Sequence, residues 1–79
     1  MHVIIAKVDE VFFEGEAGSV TAPGAEGEMT LLPRHMPLIT TLKKGIITVR
    51  DVKPSEGVHK FPVTGGILEV DRYGVTVIL

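Results

Sequence analysis

The sequence predicts an all-β fold, a small antiparallel β-sandwich, on three observations. Apolar residues recur with a period near two, and turn-forming residues interrupt them roughly every six to ten positions. Nowhere between these breakers do apolar residues fall at helical spacing. Nine glycines and five prolines leave no window for a long helix, because in a helix interior they cost about 1 and about 3 kcal/mol each.

The elements follow in order. His2 to Val8 reads as a strand with apolar residues on both faces, turning at Asp9-Glu10. Val11-Phe12-Phe13 is a short apolar return that ends at Glu14-Gly15. Glu16 to Ala22 alternates weakly around Val20 and stops at Pro23-Gly24. Ile46 to Val52 alternates better, with Ile47 and Val49 on one face and Thr48 and Arg50 on the other. Val58 to Val63 follows the turn from Lys53 to Gly57 and sets Phe61 and Val63 on one face. Pro62 cannot donate to a ladder, so that strand belongs at an edge or a bulge. Gly65-Gly66 marks a bulge or tight corner, Ile67 to Val70 resumes, Asp71 to Gly74 turns, and Val75 to Leu79 closes the chain. This patterning places Ile5, Val20, Leu32, Ile47, Val49, Phe61, Val63, Leu68 and Val77 in the core.

At 79 residues the chain is one domain, residues 1–79, without an internal linker or repeat. A chain of this size buries roughly 60–65% of its unfolded surface, a modest core that favours life inside a larger assembly. A net charge of −2 with scattered cations argues against nucleic acid, which needs a concentrated basic surface. The lack of cysteine excludes disulfides, zinc–thiolate sites and cysteine nucleophiles. No stretch approaches the ~20 apolar residues of a transmembrane helix, so a soluble domain is expected.

Thr21 to Leu42 is the unusual stretch, with three prolines and several charged residues among apolar ones. Pro33 and Pro37 fix φ and push the residue before each toward extended geometry, making Leu32 to Leu38 a stiff crossing between strands. Stiffness spends the ordering entropy on folding rather than on binding, which suits a contact surface. Three chemical readings compete with that one. A phosphate loop at Pro23 to Glu28 fails: it holds two carboxylates, no Lys-Ser/Thr pair follows, and no helix begins there. Acid–base catalysis by Glu28 with His35, helped by Glu26, lacks a nucleophile or metal. A metal site from His2, His35 and His59 lacks ligand spacing. No cofactor is expected.

Several phrases together resemble the epsilon subunit of F-type ATP synthase, the delta subunit of the mitochondrial enzyme. They are Val20-Thr21-Ala22-Pro23-Gly24, Glu26-Gly27-Glu28, and Leu32-Pro33-x-His35-x-Pro37-Leu38, followed by Leu42-Lys43-x-Gly45 and Thr64-Gly65-Gly66-Ile67-Leu68-Glu69-Val70. Phe13-x-Gly15-x-Ala17 and the closing Val75-Thr76-Val77-Ile78-Leu79 fit the same pattern. The resemblance covers nearly the whole chain. It implies a sandwich of about ten strands that clamps the gamma subunit, rests on the ring of c subunits, and passes ion-driven rotation to the catalytic head without a catalytic site of its own. It also implies a peripheral place on the cytoplasmic face of the inner membrane.

On this resemblance the gamma and c-ring contacts fall at Glu28, Arg34, His35, Met36, Leu38, Thr40 and Thr41. Arg34 stands where the family frequently has Gly, adding a charge to the loop that faces the c-ring. The family continues past the last strand with a linker and a helical hairpin that restrains ATP hydrolysis and in some members binds ATP. These 79 residues hold no such hairpin, so those roles are not carried over. The rival reading is a free-standing β-sandwich that binds a small ligand. That reading predicts aromatics in a groove, whereas the chain has one Tyr, three Phe and no Trp.

Overall fold

Aliphatic residues at alternate positions set nine strands in a computed structural model that describes residues 1–34, 36–53, 55 and 57–79. These are β1 (His2–Lys7), β2 (Glu10–Glu16), β3 (Ser19–Gly24), β4 (Gly27–Leu31), β5 (Leu38–Leu42), β6 (Gly45–Arg50), β7 (Val58–Val63), β8 (Gly66–Val70) and β9 (Gly74–Ile78). No α-helix occurs among the described residues. The all-β expectation holds, with nine strands among the described residues where about ten were expected.

The hydrogen-bonded order is β2-β1-β9-β8-β5-β3-β6-β7, with β4 on the other side of β3. Between β5 and β3 the ladder narrows to one pair, Gly24 with Leu42, beside a 2.8 Å bond from Lys43 N to Pro23 O. The path folds over at this narrow joint. One layer is β2-β1-β9-β8-β5 and the other is β4-β3-β6-β7, and their inner residues form a single core cluster. At the far margins β2 and β7 meet through side chains. The Phe13 ring lies 5.2 Å from His59 and 6.0 Å from Phe61, centroid to centroid. The sandwich is not purely antiparallel, because β1 pairs in parallel with β9, from His2 with Gly74 to Ala6 with Ile78. A parallel pair needs a long crossover, and here nearly the whole chain supplies it.

Two corrections concern the core. Leu32 is 57% exposed, whereas Leu31 is fully buried opposite Val20. Alternation along β4 carries Met29 and Leu31 inward and Glu28 and Thr30 outward, so Leu32 falls just past the ladder. Phe61 is half-buried at the β2–β7 margin, packed against the core rather than within it. The other seven residues assigned to the core are buried: Ile5, Val20, Ile47, Val49, Val63, Leu68 and Val77. Strand β2 runs over seven residues instead of three, because β1 pairs with it from His2–Glu16 to Lys7–Glu10 across a bulge at Ile5/Ala6. The corner at Gly65-Gly66 is structural. Gly66 has φ +132°, and a Cβ there would lie 2.7 Å from the Ile78 carbonyl oxygen.

Candidate partner-docking surfaces

The stretch from Thr21 to Leu42 is two strands and their connections. β3 and β4 form a hairpin closed by Ala25-Glu26, with Gly27 at φ +130°. The chain then leaves β4, crosses between Pro33 and Pro37, and enters β5, which pairs with β8 over all five of its residues. No helix follows the glycine hairpin, and Glu26 and Glu28 are exposed beside it, so the geometry that cradles a phosphate is missing. His2 contacts Glu14 at 3.5 Å and Glu16 at 3.6 Å, and His59 contacts the Asp51 carboxylate at 3.2 Å. These are separate pairs, and no group of three fit to hold a metal ion occurs among the described residues.

The residues expected to meet partners do not form one site. Gly24 to Met29 and Leu38 to Thr40 line an open cleft of about 460 Å³, which brings Glu28, Leu38 and Thr40 together. Leu38 is half-buried and packs on the core, so it is only partly available to a partner. The Thr40 hydroxyl donates to the Thr41 carbonyl at 3.2 Å. Arg34 and Met36 lie on the exposed crossing, Met36 at 78% exposure. His35 lies outside the described residues. Thr41 points away from the cleft, onto the outer face of the β5-β8-β9 layer.

That outer face holds residues that sequence reasoning missed. Thr41 pairs with Ile67 and Ile67 with Ile78, while Ile39 sits one step along, opposite Glu69. Ile39 is 71% exposed, Ile67 52% and Ile78 50%. Their inward neighbours Leu68 and Val77 are fully buried, so these strands carry large aliphatics on the outer face as well, alternating there with Thr41, Glu69 and Thr76. An antiparallel sheet with one face in water normally carries polar residues there. The signal was present in Ile67-Leu68 and Val77-Ile78, where adjacent large aliphatics break the alternation. On the opposite layer, the outer face of β6 and β7 exposes Ile46 at 52% and Val58 at 49% but also carries the cations Arg50 and Lys60.

Comparison with known proteins agrees with this architecture. Residues 1–79 match the family described as ATP synthase, Delta/Epsilon chain, beta-sandwich domain. The chain is 44% identical over 78 residues to the ATP synthase epsilon chain of Bordetella avium, covering 99% of this chain and 54% of that one. It is 40% identical over 78 residues to that of Alkalilimnicola ehrlichii, covering 99% and 54%. The chain thus spans about half the length of the curated relatives it matches. Among solved structures it superposes on a chain of the Euglena gracilis mitochondrial ATP synthase with a TM-score of 0.83 at 24% identity, covering 96% of this chain and 48% of that one. A chain of the Tetrahymena thermophila mitochondrial ATP synthase central stalk and c-ring superposes with a TM-score of 0.76 at 17% identity, covering 99% and 63%. At those identities the two structures establish the shared fold.

Proposed function

The chain belongs to the ATP synthase delta/epsilon-chain β-sandwich family, and from that premise we propose that it is a non-catalytic rotor part that binds gamma and the c-ring and helps couple ion-driven rotation to ATP synthesis. The observation that carries this reading is the set of exposed isoleucines Ile39, Ile67 and Ile78 on the outer face of the β5-β8-β9 layer. Three exposed isoleucines gathered on one sheet face, with Thr41, Glu69 and Thr76 among them, fit an interaction site with an apolar and a polar part. We assign gamma to this face. The c-ring is assigned to the cleft at Glu28 and to the crossing that bears Arg34 and Met36. In this arrangement the domain holds a peripheral place at the membrane through the complex.

The mechanics follow from the fold. Torque passes through a body only if the body does not shear, and here every strand but the edges is hydrogen-bonded on both sides. The exposed isoleucines supply affinity. Each half-exposed isoleucine has about 1 kcal/mol of burial left to gain, since full burial is worth about 1.5–3 kcal/mol. Glu28, a solvated carboxylate, supplies register more than affinity.

The test is binding of purified gamma to the isolated chain. The wild type binds, Ile39→Asp and Ile78→Asp lose about a hundredfold, and Lys60→Glu on the opposite layer binds like the wild type. Absence of wild-type binding, or equal binding by all three folded variants, refutes the assignment.

A further inference from the structure

Arg34 has φ +68°, and it is the sole non-glycine with positive φ among the described residues. In this left-handed region a Cβ crowds the following carbonyl, so glycine is the residue of least strain. The chain follows that rule at Gly27, Gly57 and Gly66, whose φ values lie between +130° and +143°. It departs from the rule once, at an exposed turn between Pro33 and Pro37. A strained conformation at an exposed loop tip marks a place where the side chain matters more than the backbone.

The guanidinium also differs from those of the other arginines. Arg50 donates to the Thr21 hydroxyl at 3.3 Å, and Arg72 donates to the Tyr73 hydroxyl at 2.8 Å while lying over its own neighbour's ring. Arg34 makes no such contact among the described residues. Leu32 and Met36 flank it on the same crossing, 57% and 78% exposed. Apolar flanks around a cation exclude water when a partner closes on them, which strengthens any charge pair formed inside.

We propose that Arg34 is a partner-recognition residue, whose guanidinium forms a forked ion pair with a carboxylate on the rotor surface facing this crossing. The proposal rests on the reading of function above and names the chemistry of one contact in it. A planar fork fits a carboxylate or a phosphate. A protein carboxylate is favoured over lipid phosphate because membrane attraction takes a cluster of about four to eight cations. Here Arg34 is the one Lys or Arg in the sequence from Leu32 to Leu38, the net charge of the chain is −2, and Glu26 and Glu28 are exposed on the preceding hairpin.

The experiment titrates the 79-residue chain and three variants into a purified gamma–c-ring complex, alongside vesicles rich in phosphatidylglycerol. Arg34→Gln, which keeps the strain and removes the charge, weakens binding to the complex about threefold to tenfold at low salt, and the difference shrinks at high salt. Arg34→Gly loses as much binding while raising Tm by roughly 2–8 °C, because the strain is relieved. Arg34→Lys recovers part of the loss. Neither the wild type nor any variant binds the vesicles. If Arg34→Gln or Arg34→Gly binds the complex like the wild type, Arg34 is a turn residue only and the proposal is wrong. Vesicle binding that disappears in Arg34→Gln assigns the fork to lipid phosphate and also overturns it. A wild type that ignores the complex altogether defeats the functional reading as well, which separates the two failures.

Discussion

Replacing Leu31 and Leu32 in turn by Ala tests the register of the sandwich at the point where the sequence pattern is most ambiguous. Leu31 ends β4 fully buried, opposite Val20, which itself pairs with Val49 on its other side. All three side chains are fully buried and span the layer in one row. Leu31→Ala removes three carbons from the end of that row and leaves a hole that the flanking backbone cannot close. The expected cost is about 3 kcal/mol, within the range of about 2–5 kcal/mol for buried Leu→Ala. A 79-residue domain has roughly 4–12 kcal/mol in total, so the loss is a large share of it. At about 4–8 °C per kcal/mol, Tm falls by roughly 12–24 °C. Leu32→Ala touches a side chain already mostly in water and changes stability by less than about 0.5 kcal/mol. Urea and thermal unfolding followed by far-ultraviolet circular dichroism give both values directly. A Leu32→Ala cost equal to or above that of Leu31→Ala means that β4 is one residue out of register, with every β4 side chain on the wrong face.

Two further perturbations probe the frame. Gly66→Ala is expected to cost about 2 kcal/mol or more in urea unfolding, because φ is +132° and the new Cβ would lie 2.7 Å from the Ile78 oxygen and 3.4 Å from Leu79 Cα; a cost under about 0.5 kcal/mol would show that β8 begins elsewhere. Phe13→Ala opens the margin where β2 meets His59 and Phe61 of β7, and about 2 kcal/mol is expected for a half-buried ring; a neutral effect would mean that the two layers are held without that contact.

Much of the fold was legible in residue order alone. The strand at Ile47-Val49 needed only period-two alternation, whereas those around Ile5, Leu68 and Val77 carry consecutive aliphatics and were legible through the breakers that bound them. β4 was harder. Gly27-Glu28-Met29-Thr30-Leu31 has two apolar residues in five, and the adjacent Leu31-Leu32 pair leaves the inward face undecided. Pro33 says that the strand must end nearby but not which leucine ends it. Backbone pairing decides that, through Leu31 opposite Val20.

The site was legible as a segment and not as a surface. The prolines and charges of Thr21 to Leu42 single out the stretch, and its phrases carry the family resemblance. Nothing in the residue order indicates that Thr41 lies on a different face from Glu28, or that Leu38 is half spent on the core. Local chemistry by itself fixed the all-β class, the breakers and most of the buried set, because alternation and φ preferences act between neighbours in sequence. Pairing between distant strands fixed the rest. It brought Ile39, Ile67 and Ile78 from three strands onto one outer face and laid β1 beside β9 in parallel. Those features arise from contacts between residues far apart in the chain, and a pattern that reads only near neighbours has no term for them.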